Sequence, residues 1–491
     1  MSMIRVENLT FSYPSSYDYI FKDVSFQIDT DWKLGFIGRN GRGKTTFMKL
    51  LLGEYEYAGK LMSSLSFDYF PYEVPDKTQL TEQILWEICP SVQEWEFIKE
   101  LSYLKVKADV LWRSFDTLSN GEQTKVLLAA LFLKPEKFLL IDEPTNHLDI
   151  TARKQIAEYL KRKKGFILIS HDRYLLDECV DHILSLNKSG IEVQSGNFSS
   201  WMENFERQQL SEMGENKRLK KEIARMKESS RQSQVWSNKV EATKQGAADK
   251  GYIGHKAAKM MKRSKNIESR REKAIEEKSK LLQNLETAES LKISPVSYHK
   301  KTLVSFRDVS VFYEGQSVCE NITFEVNGGE RIIINGKNGS GKSSLLKLLM
   351  GNEITHTGII SVGSGLKISY VPQDTSFLKG DLKEFAKTYN LDESLFKALL
   401  RKMDFERIQF EKDIRDFSAG QKKKVLIAKS LCEPAHLYVW DEPLNYIDVY
   451  SRMQIEQLIL QFCPTMLIVE HDLMFEKKDC YKDCNDLKDD V

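Results

Sequence analysis

No proline occurs between Pro144 and Pro295, in a chain of 491 residues that contains 11. Glycine is nearly as scarce over residues 206–291, apart from Gly214 and a cluster at Gly246, Gly251 and Gly254. Proline breaks a helix interior and glycine weakens it, so this stretch excludes a loop-rich domain and admits long helices. Long apolar runs are missing too. The longest, residues 126–133, falls far short of a membrane span and is followed by Lys134 and Glu136. Residues 1–13 lack a basic start followed by an apolar core, so no signal peptide is expected. The seven cysteines are scattered; the closest two, Cys480 and Cys484, have no histidine near them. An odd, dispersed set argues against a disulfide framework or a zinc site and fits reduced thiols in a cytoplasm.

What fills the proline-free stretch is a helical pattern. Leu219, Ile223 and Met226 fall at i, i+4 and i+7, and Ile267, Ala274, Leu281 and Ala288 repeat every seven residues, with Leu282 and Leu285 beside them. Each arm thus carries one narrow apolar seam, as two antiparallel helices packed on each other require. With the turn near residues 245–254, arms of roughly 35–40 residues extend about 50–60 Å. The stretch is also basic. Residues 217–280 hold 20 Lys/Arg against 8 Asp/Glu, while the whole chain has a net charge of only +1. A basic rod beside acidic bodies suits a polyanionic partner, although a solvated coiled coil carries surface lysines as well. The length exceeds one ordinary core, so two domains and an insertion are expected.

Both flanks carry the same ordered set of motifs. In the first, a strand-like segment at residues 33–37 runs into Gly38-Arg39-Asn40-Gly41-Arg42-Gly43-Lys44-Thr45, and an apolar helix follows at 47–52. This is G-x-x-x-x-G-K-[ST] in the strand–loop–helix context that the motif needs. Its backbone N–H groups and helix N-terminus suit phosphates, Lys44 suits the β/γ-phosphates and Thr45 suits Mg²⁺. Farther on, Phe138-Leu139-Leu140-Ile141-Asp142-Glu143 reads as a buried strand ending in two carboxylates. The first suits a magnesium shell; the second can orient or deprotonate an attacking water. Leu118-Ser119-Asn120-Gly121-Glu122-Gln123 precedes an apolar helix, and the next buried strand, 166–169, delivers Ser170-His171-Asp172. A histidine at that strand end is read as a γ-phosphate contact. The second flank repeats the series with Gly336-Lys337-Asn338-Gly339-Ser340-Gly341-Lys342-Ser343, Val371-Pro372-Gln373, Phe417-Ser418-Ala419-Gly420-Gln421, Val439-Trp440-Asp441-Glu442 and Glu470-His471-Asp472.

In this order the segments resemble the Walker A, Q-loop, signature, Walker B, D-loop and switch-histidine motifs of the ATP-binding-cassette (ABC) superfamily. The resemblance implies an α/β fold: two ABC-type P-loop ATPase domains in tandem (residues 1–203 and 295–475), joined by a long antiparallel helical hairpin (204–294), with a tail at 476–491. It implies ATP and Mg²⁺ as cofactors and two composite sites, each P-loop facing the opposite signature. ATP contacts are expected from Gly38, Asn40, Gly41, Gly43, Lys44, Thr45 and Thr46 with Ser418 and Gly420. The second set is Gly336, Asn338, Gly339, Gly341, Lys342, Ser343, Ser344 and Gln373 with Ser119 and Gly121. Metal contacts fall to Thr45 and Asp142, and to Ser343, Asp441 and Gln373; catalysis falls to Glu143, Glu442, His171 and His471. Tyr13 and Tyr313 are candidates to stack on adenine, and a strand tyrosine also packs, so both roles stay open. The halves differ: Tyr72 stands where Gln373 stands in the second, and Asn146-His147-Leu148 becomes Asn445-Tyr446-Ile447, so equal hydrolysis rates are not expected.

Two cassettes, no membrane run and a basic helical linker resemble the ABC-F family, whose hairpin enters the ribosomal E site. Within it the likeness is to the Lsa type of the antibiotic-resistance branch. It rests on residues 29–35, 38–44, 196–199 and 441–446, and on Gly251-Tyr252-Ile253-Gly254-His255 in the linker. The resemblance implies a cytoplasmic monomer with intramolecular cassette pairing. The partner it implies is the 70S ribosome, with rRNA and P-site tRNA in reach, and the activity it implies is protection against lincosamides, pleuromutilins and streptogramin A. Lys244, Lys250, Tyr252 and His255 are expected at the hairpin tip, lysines for phosphate and rings for unstacked bases. A housekeeping ABC-F translation factor and the paired ATPase of a transporter, or a repair ATPase with a coiled-coil arm, are the alternatives.

Overall fold

The computed structural model describes residues 2–14, 19–146, 148–187, 190–242, 290–476 and 482–484. The chain divides into one unit holding both cassettes, Met1–Trp201 with Ala288–Val491, and a second unit, Met202–Thr287.

Each cassette follows one plan. A three-stranded antiparallel sheet comes first, in the order Phe21–Asp29, Met3–Phe11, Ala58–Met62 in one half. Its equivalent in the other half is Gln316–Asn327, Thr302–Tyr313, His356–Val362. The larger sheet of the first cassette runs Ser66–Phe70, Lys137–Asp142, Phe166–Ile169, Lys33–Gly38, His182–Asn187, Gly190–Ser195, parallel except for the last pair. Phe138, Leu139, Leu140 and Ile141 are all buried, with Phe138 and Leu140 in a core shared with the three-stranded sheet and helix Lys44–Leu51; a strand covered on both faces is a continuous apolar run rather than an alternating one. The strand feeding the P-loop lies inside the sheet. The loops that leave its carboxyl end and those of its neighbours Lys137–Asp142 and Phe166–Ile169 therefore meet at one edge, where α/β sheets bind ligands.

The second cassette has five parallel strands in the order Ile368–Val371, Leu437–Asp441, Met466–Val469, Arg331–Ile334, Lys482–Cys484. Thus part of the tail adds an edge strand beside the P-loop strand, in the place that His182–Asn187 takes in the first cassette. Leu291 and Ile293, expected in the linker, are buried in the second cassette's core with Phe385, Phe396 and Trp440. The linker therefore gives way to the cassette a few residues earlier than the expected 294, because these two apolar side chains have a core to enter.

A helical layer follows each three-stranded sheet. In the first cassette it comprises Thr81–Ile88, Glu94–Tyr103 and Asn120–Leu133; in the second, Leu382–Thr388, Glu393–Lys402 and Ala419–Cys432. The helix after each signature starts at a serine whose hydroxyl accepts the third helical N–H, Glu122 N to Ser119 Oγ and Gln421 N to Ser418 Oγ, both 3.3 Å. The glutamate or glutamine at that third position bonds back to the serine N–H, completing a reciprocal cap.

In the second unit the described part is helical to the end of Phe198–Ala242. Over residues 213–225, Asn216 and Ile223 are buried, Leu219 is half-buried and the others are exposed, a narrow seam at helical spacing. The second arm and the tip residues Lys244, Lys250, Tyr252 and His255 lie outside the described residues. Among the described residues no helix is long and apolar enough to cross a membrane.

Candidate active sites

Two cavities of about 440 and 430 Å³ open where the cassettes meet. The first is lined by Asn40, Gly41, Gly43, Lys44, Thr45, Thr46, Asp142, Glu143 and His171 from the first cassette and by Ser418, Ala419, Gly420 and Tyr446 from the second. The other is lined by Asn338, Gly339, Gly341, Lys342, Ser343, Ser344, Gln373, Glu442 and His471 with Asn120, Leu148 and Arg153. Asn120 lines this cavity while its neighbours Ser119 and Gly121 do not, unlike their counterparts Ser418 and Gly420, which line the first.

The P-loops are shaped by glycine where a side chain has no room. Gly43 sits at φ 101°, and a Cβ there would collide with the Ile20 side chain. Helix Lys44–Leu51 begins immediately after it, so its free N–H groups face the cavity. Lys44 Nζ donates to the carbonyls of Gly38 at 2.6 Å and Arg39 at 3.2 Å, and Lys342 Nζ to those of Gly336 and Lys337, each at 2.7 Å. Burial lowers the pKa of both lysines. Asp448, which closes the opposite D-loop, opposes that shift at Lys44, and Glu442 does so at Lys342, followed by Asp149 of the opposite D-loop.

Thr45 Oγ1 donates to Asp142 Oδ2 at 2.8 Å, and Tyr69 OH donates to the same oxygen at 3.0 Å. A hydroxyl beside a carboxylate is a hard-oxygen pair that fits Mg²⁺ when phosphate oxygens and water complete the shell. In the other site burial, partly offset by the nearby Ser343 hydroxyl, pushes Asp441 up to about 6. These residues would hold the ion, whose contribution is to neutralise charge on the β- and γ-phosphates.

Glu143 and Glu442 both adopt left-handed backbone, φ 50° and 45°, held by N–H bonds of 2.9 Å to Ile169 O and Val469 O. Two non-glycine residues kept in that strained region at matching positions mark where the fold imposes a side-chain direction. Burial, reinforced by Asp142, pushes Glu143 up to about 8. His171 Nε2 lies 3.4 Å from Glu143 Oε1 and donates to Asn40 Oδ1 at 3.0 Å. Burial holds both switch histidines neutral: His171 well below its ordinary value, with Lys44 adding to the effect, and His471 lowered to about 3. A buried carboxylate base, a neutral histidine and a lysine–hydroxyl–carboxylate set round a phosphate loop can bind a nucleoside triphosphate and activate water on its γ-phosphate.

Tyr13 and Tyr313 both line their cavities. Tyr13 bonds Thr46 Oγ1 at 2.8 Å and packs edge-on against Phe11 and Tyr55, while Tyr313 bonds Ser344 Oγ at 3.0 Å and is 44% exposed. Its exposed ring leaves Tyr313 the freer of the two to meet a planar ligand.

Asn40 was expected as an ATP contact but not as a bridge between cassettes, and Asn445 and Lys423 were not singled out from the sequence. Asn40 Nδ2 donates across to Tyr446 O at 2.7 Å, and Asn445 Nδ2 donates to Glu442 Oε2. These bonds lead from the switch histidine of one site, through the D-loop of the other cassette, to the glutamate of the second site. Lys423, buried, donates to Pro372 O at 2.8 Å and Asp441 O at 3.0 Å, and burial lowers it to about 8. The asparagines stood inside recognised motifs, but nothing in the one-dimensional pattern indicated their partners. Lys423 follows the signature, where a helix-face lysine reads as solvated.

A protein-family model described as "ABC transporter" matches residues 21–146 and 319–445. Among curated proteins, the chain is 28% identical over 484 residues to the ribosome protection protein VmlR of Bacillus subtilis, covering 95% of this chain and 84% of that one. It is 24% identical over 510 residues to the energy-dependent translational throttle protein EttA of Haemophilus influenzae, covering 93% and 87%. Among solved structures it is similar in fold to an archaeal ribosome recycling factor, aABCE1, in complex with the ribosomal stalk protein aP1. That match has a TM-score of 0.61 at 20% identity, over 95% of this chain and 85% of that one.

Proposed function

The chain belongs to the ABC family of ATPases, in the tandem-cassette ABC-F branch, and on that premise we propose that it protects the bacterial ribosome from antibiotics of the peptidyl-transferase centre. The observation that carries this reading is the likeness to the ribosome protection protein VmlR, which runs through 95% of the chain, linker included. The basic linker suits rRNA, since phosphate contacts supply most nonspecific affinity for nucleic acid. ATP closes the cassettes on the two composite sites, and closure is the two-state element that nucleotide biases. The closed form enters the E site of a drug-stalled ribosome with residues 244–255 toward the drug site. Displacement of P-site tRNA accompanies loss of a lincosamide, pleuromutilin or streptogramin A. Lys44 and Lys342 bind the phosphates, Glu143 and Glu442 activate water, and hydrolysis reopens the cassettes.

The likeness to the translational throttle protein EttA favours a second reading, a cytoplasmic translation factor with the same ATP chemistry and no drug protection. In vitro translation separates the two. Lincomycin, tiamulin or virginiamycin M is added with wild-type protein or with the Lys44→Ala/Lys342→Ala double variant. Rescue by wild type alone is expected. ATP-dependent ribosome binding without rescue from any drug would replace protection by the translation-factor reading.

A further inference from the structure

Among the described residues, the arginine–carboxylate pairs that cross between the cassettes are not shared equally by the two sites. Beside the first P-loop, Arg39 and Arg42 reach Asp404 of the second cassette at 3.5 and 3.6 Å, and the Arg39 guanidinium lies 5.4 Å from the centre of the Tyr450 ring. Asp404 occupies the turn after helix Glu393–Lys402, in left-handed backbone at φ 68°. Its counterpart after helix Glu94–Tyr103 is Lys105, at φ 55°. The counterparts of Arg39, Arg42 and Tyr450 are Lys337, Ser340 and Thr151. Two cations and a hydroxyl cannot rebuild a pair of arginine–carboxylate bonds, and threonine offers no ring face. Lys105 instead pairs with Glu158 of its own cassette at 3.2 Å.

A third cross-cassette anchor obeys the same rule. Arg173 donates through both terminal nitrogens to Glu456, a side chain that is 2% exposed, and lies 3.7 Å from Asp472. By position the counterparts of Arg173 and Glu456 are Leu473 and Ala157. Packing at the first site is tight as well: a Cβ on Gly420 would overlap the Tyr446 carbonyl oxygen and lie 2.8 Å from Asn40 Nδ2 of the other cassette.

We propose that Arg39 and Arg42 with Asp404 are positioning residues of a one-sided clasp that keeps the first site assembled while the second opens, so that nucleotide leaves the second site first. The inference rests on both composite sites binding ATP. It is independent of whether the target is a drug-stalled ribosome.

The test follows dissociation of a fluorescent ATP analogue from full-length protein carrying Glu143→Gln and Glu442→Gln, which retains bound nucleotide. Two phases are expected, the slow one abolished by Lys44→Ala and the fast one by Lys342→Ala. Asp404→Lys should accelerate the slow phase by roughly tenfold at low salt, in the range of two partly exposed ion pairs, and leave the fast phase within about twofold. Raising ionic strength should shrink that effect, which a purely packing role would not do. Asp404→Asn should move the same phase by a smaller factor, and Lys105→Asp should slow the fast phase. One phase in the parent protein, or equal acceleration of both phases by Asp404→Lys, would overturn the clasp. Absence of saturable nucleotide binding by the parent would overturn the ATP-site reading beneath it.

Discussion

Replacing Gly420 by alanine adds one methyl group at the tightest point of the first site. That methyl would overlap the Tyr446 carbonyl oxygen and approach Asn40 Nδ2 to 2.8 Å. Neither neighbour is a flexible chain end. The carbonyl belongs to the D-loop backbone, and the amide is already held by its 2.7 Å bond to that carbonyl and by the 3.0 Å contact of its oxygen with His171. Overpacking a rigid site costs about 1–3 kcal/mol. If that cost falls on assembly of the first site, the assembled fraction drops roughly 5- to 150-fold. The assay is steady-state ATP hydrolysis in single-site backgrounds, with thermal melting as the control for folding. In Glu442→Gln protein, where Glu143 alone can act, Gly420→Ala should lower turnover at least tenfold. In Glu143→Gln protein, where Glu442 alone can act, the same substitution should change it less than about threefold. Equal losses in the two backgrounds would refute the reasoning, because the clash would then not act through assembly of the first site.

Glu143, raised to about 8 by burial and Asp142, must lose its proton to act as a base, so turnover of Glu442→Gln protein should climb with pH between 7 and 9. A flat profile there would count against Glu143 as the base. The same shift carries a stability sign. The folded state keeps a proton that the unfolded chain releases near 4.5, so this group's contribution falls as pH rises from 4.5 to 8. Glu143→Gln should therefore raise the melting temperature more at pH 8.5 than at pH 5. Lys424 and Asp448 form a buried pair at 2.7 Å, so Lys424→Met should cost about 3–5 kcal/mol in denaturant unfolding by stranding the carboxylate. Burial would raise Asp448, but Lys424 holds it well below the ordinary carboxylate range, so its stabilisation is present above about pH 4 and lost on acidification; Asp448→Asn should flatten that acid limb.

How much of this was legible beforehand follows from which interactions are local. A P-loop is a local object: glycine at left-handed positions, a lysine and a hydroxyl at fixed offsets, a buried strand before and a helix after. The spacing therefore named Gly43, Lys44 and Thr45, and by repetition Gly341, Lys342 and Ser343, along with the α/β class and the tandem order. Strand ends were legible as well, because a run such as Phe138–Ile141 can be continuous and apolar only inside a covered sheet, which puts Asp142 and Glu143 at its exit. Prediction stopped at pairings between distant segments. Arg39 and Asp404, Asn40 and Tyr446, or Arg173 and Glu456 meet only because two cassettes with unlike surface charges are set face to face, and no periodicity encodes a partner hundreds of residues away. The seam of Leu219 and Ile223 lies between these cases: helical spacing announced a buried stripe, yet it did not include Asn216, a polar residue that the structure buries in the same stripe. The sequence by itself determined two phosphate-binding cassettes and their reacting groups, because those depend on offsets within one strand–loop–helix unit. That the halves differ was legible in Tyr72 against Gln373; only the tertiary structure decided which contacts cross between the cassettes, because that depends on which charges the opposite cassette presents.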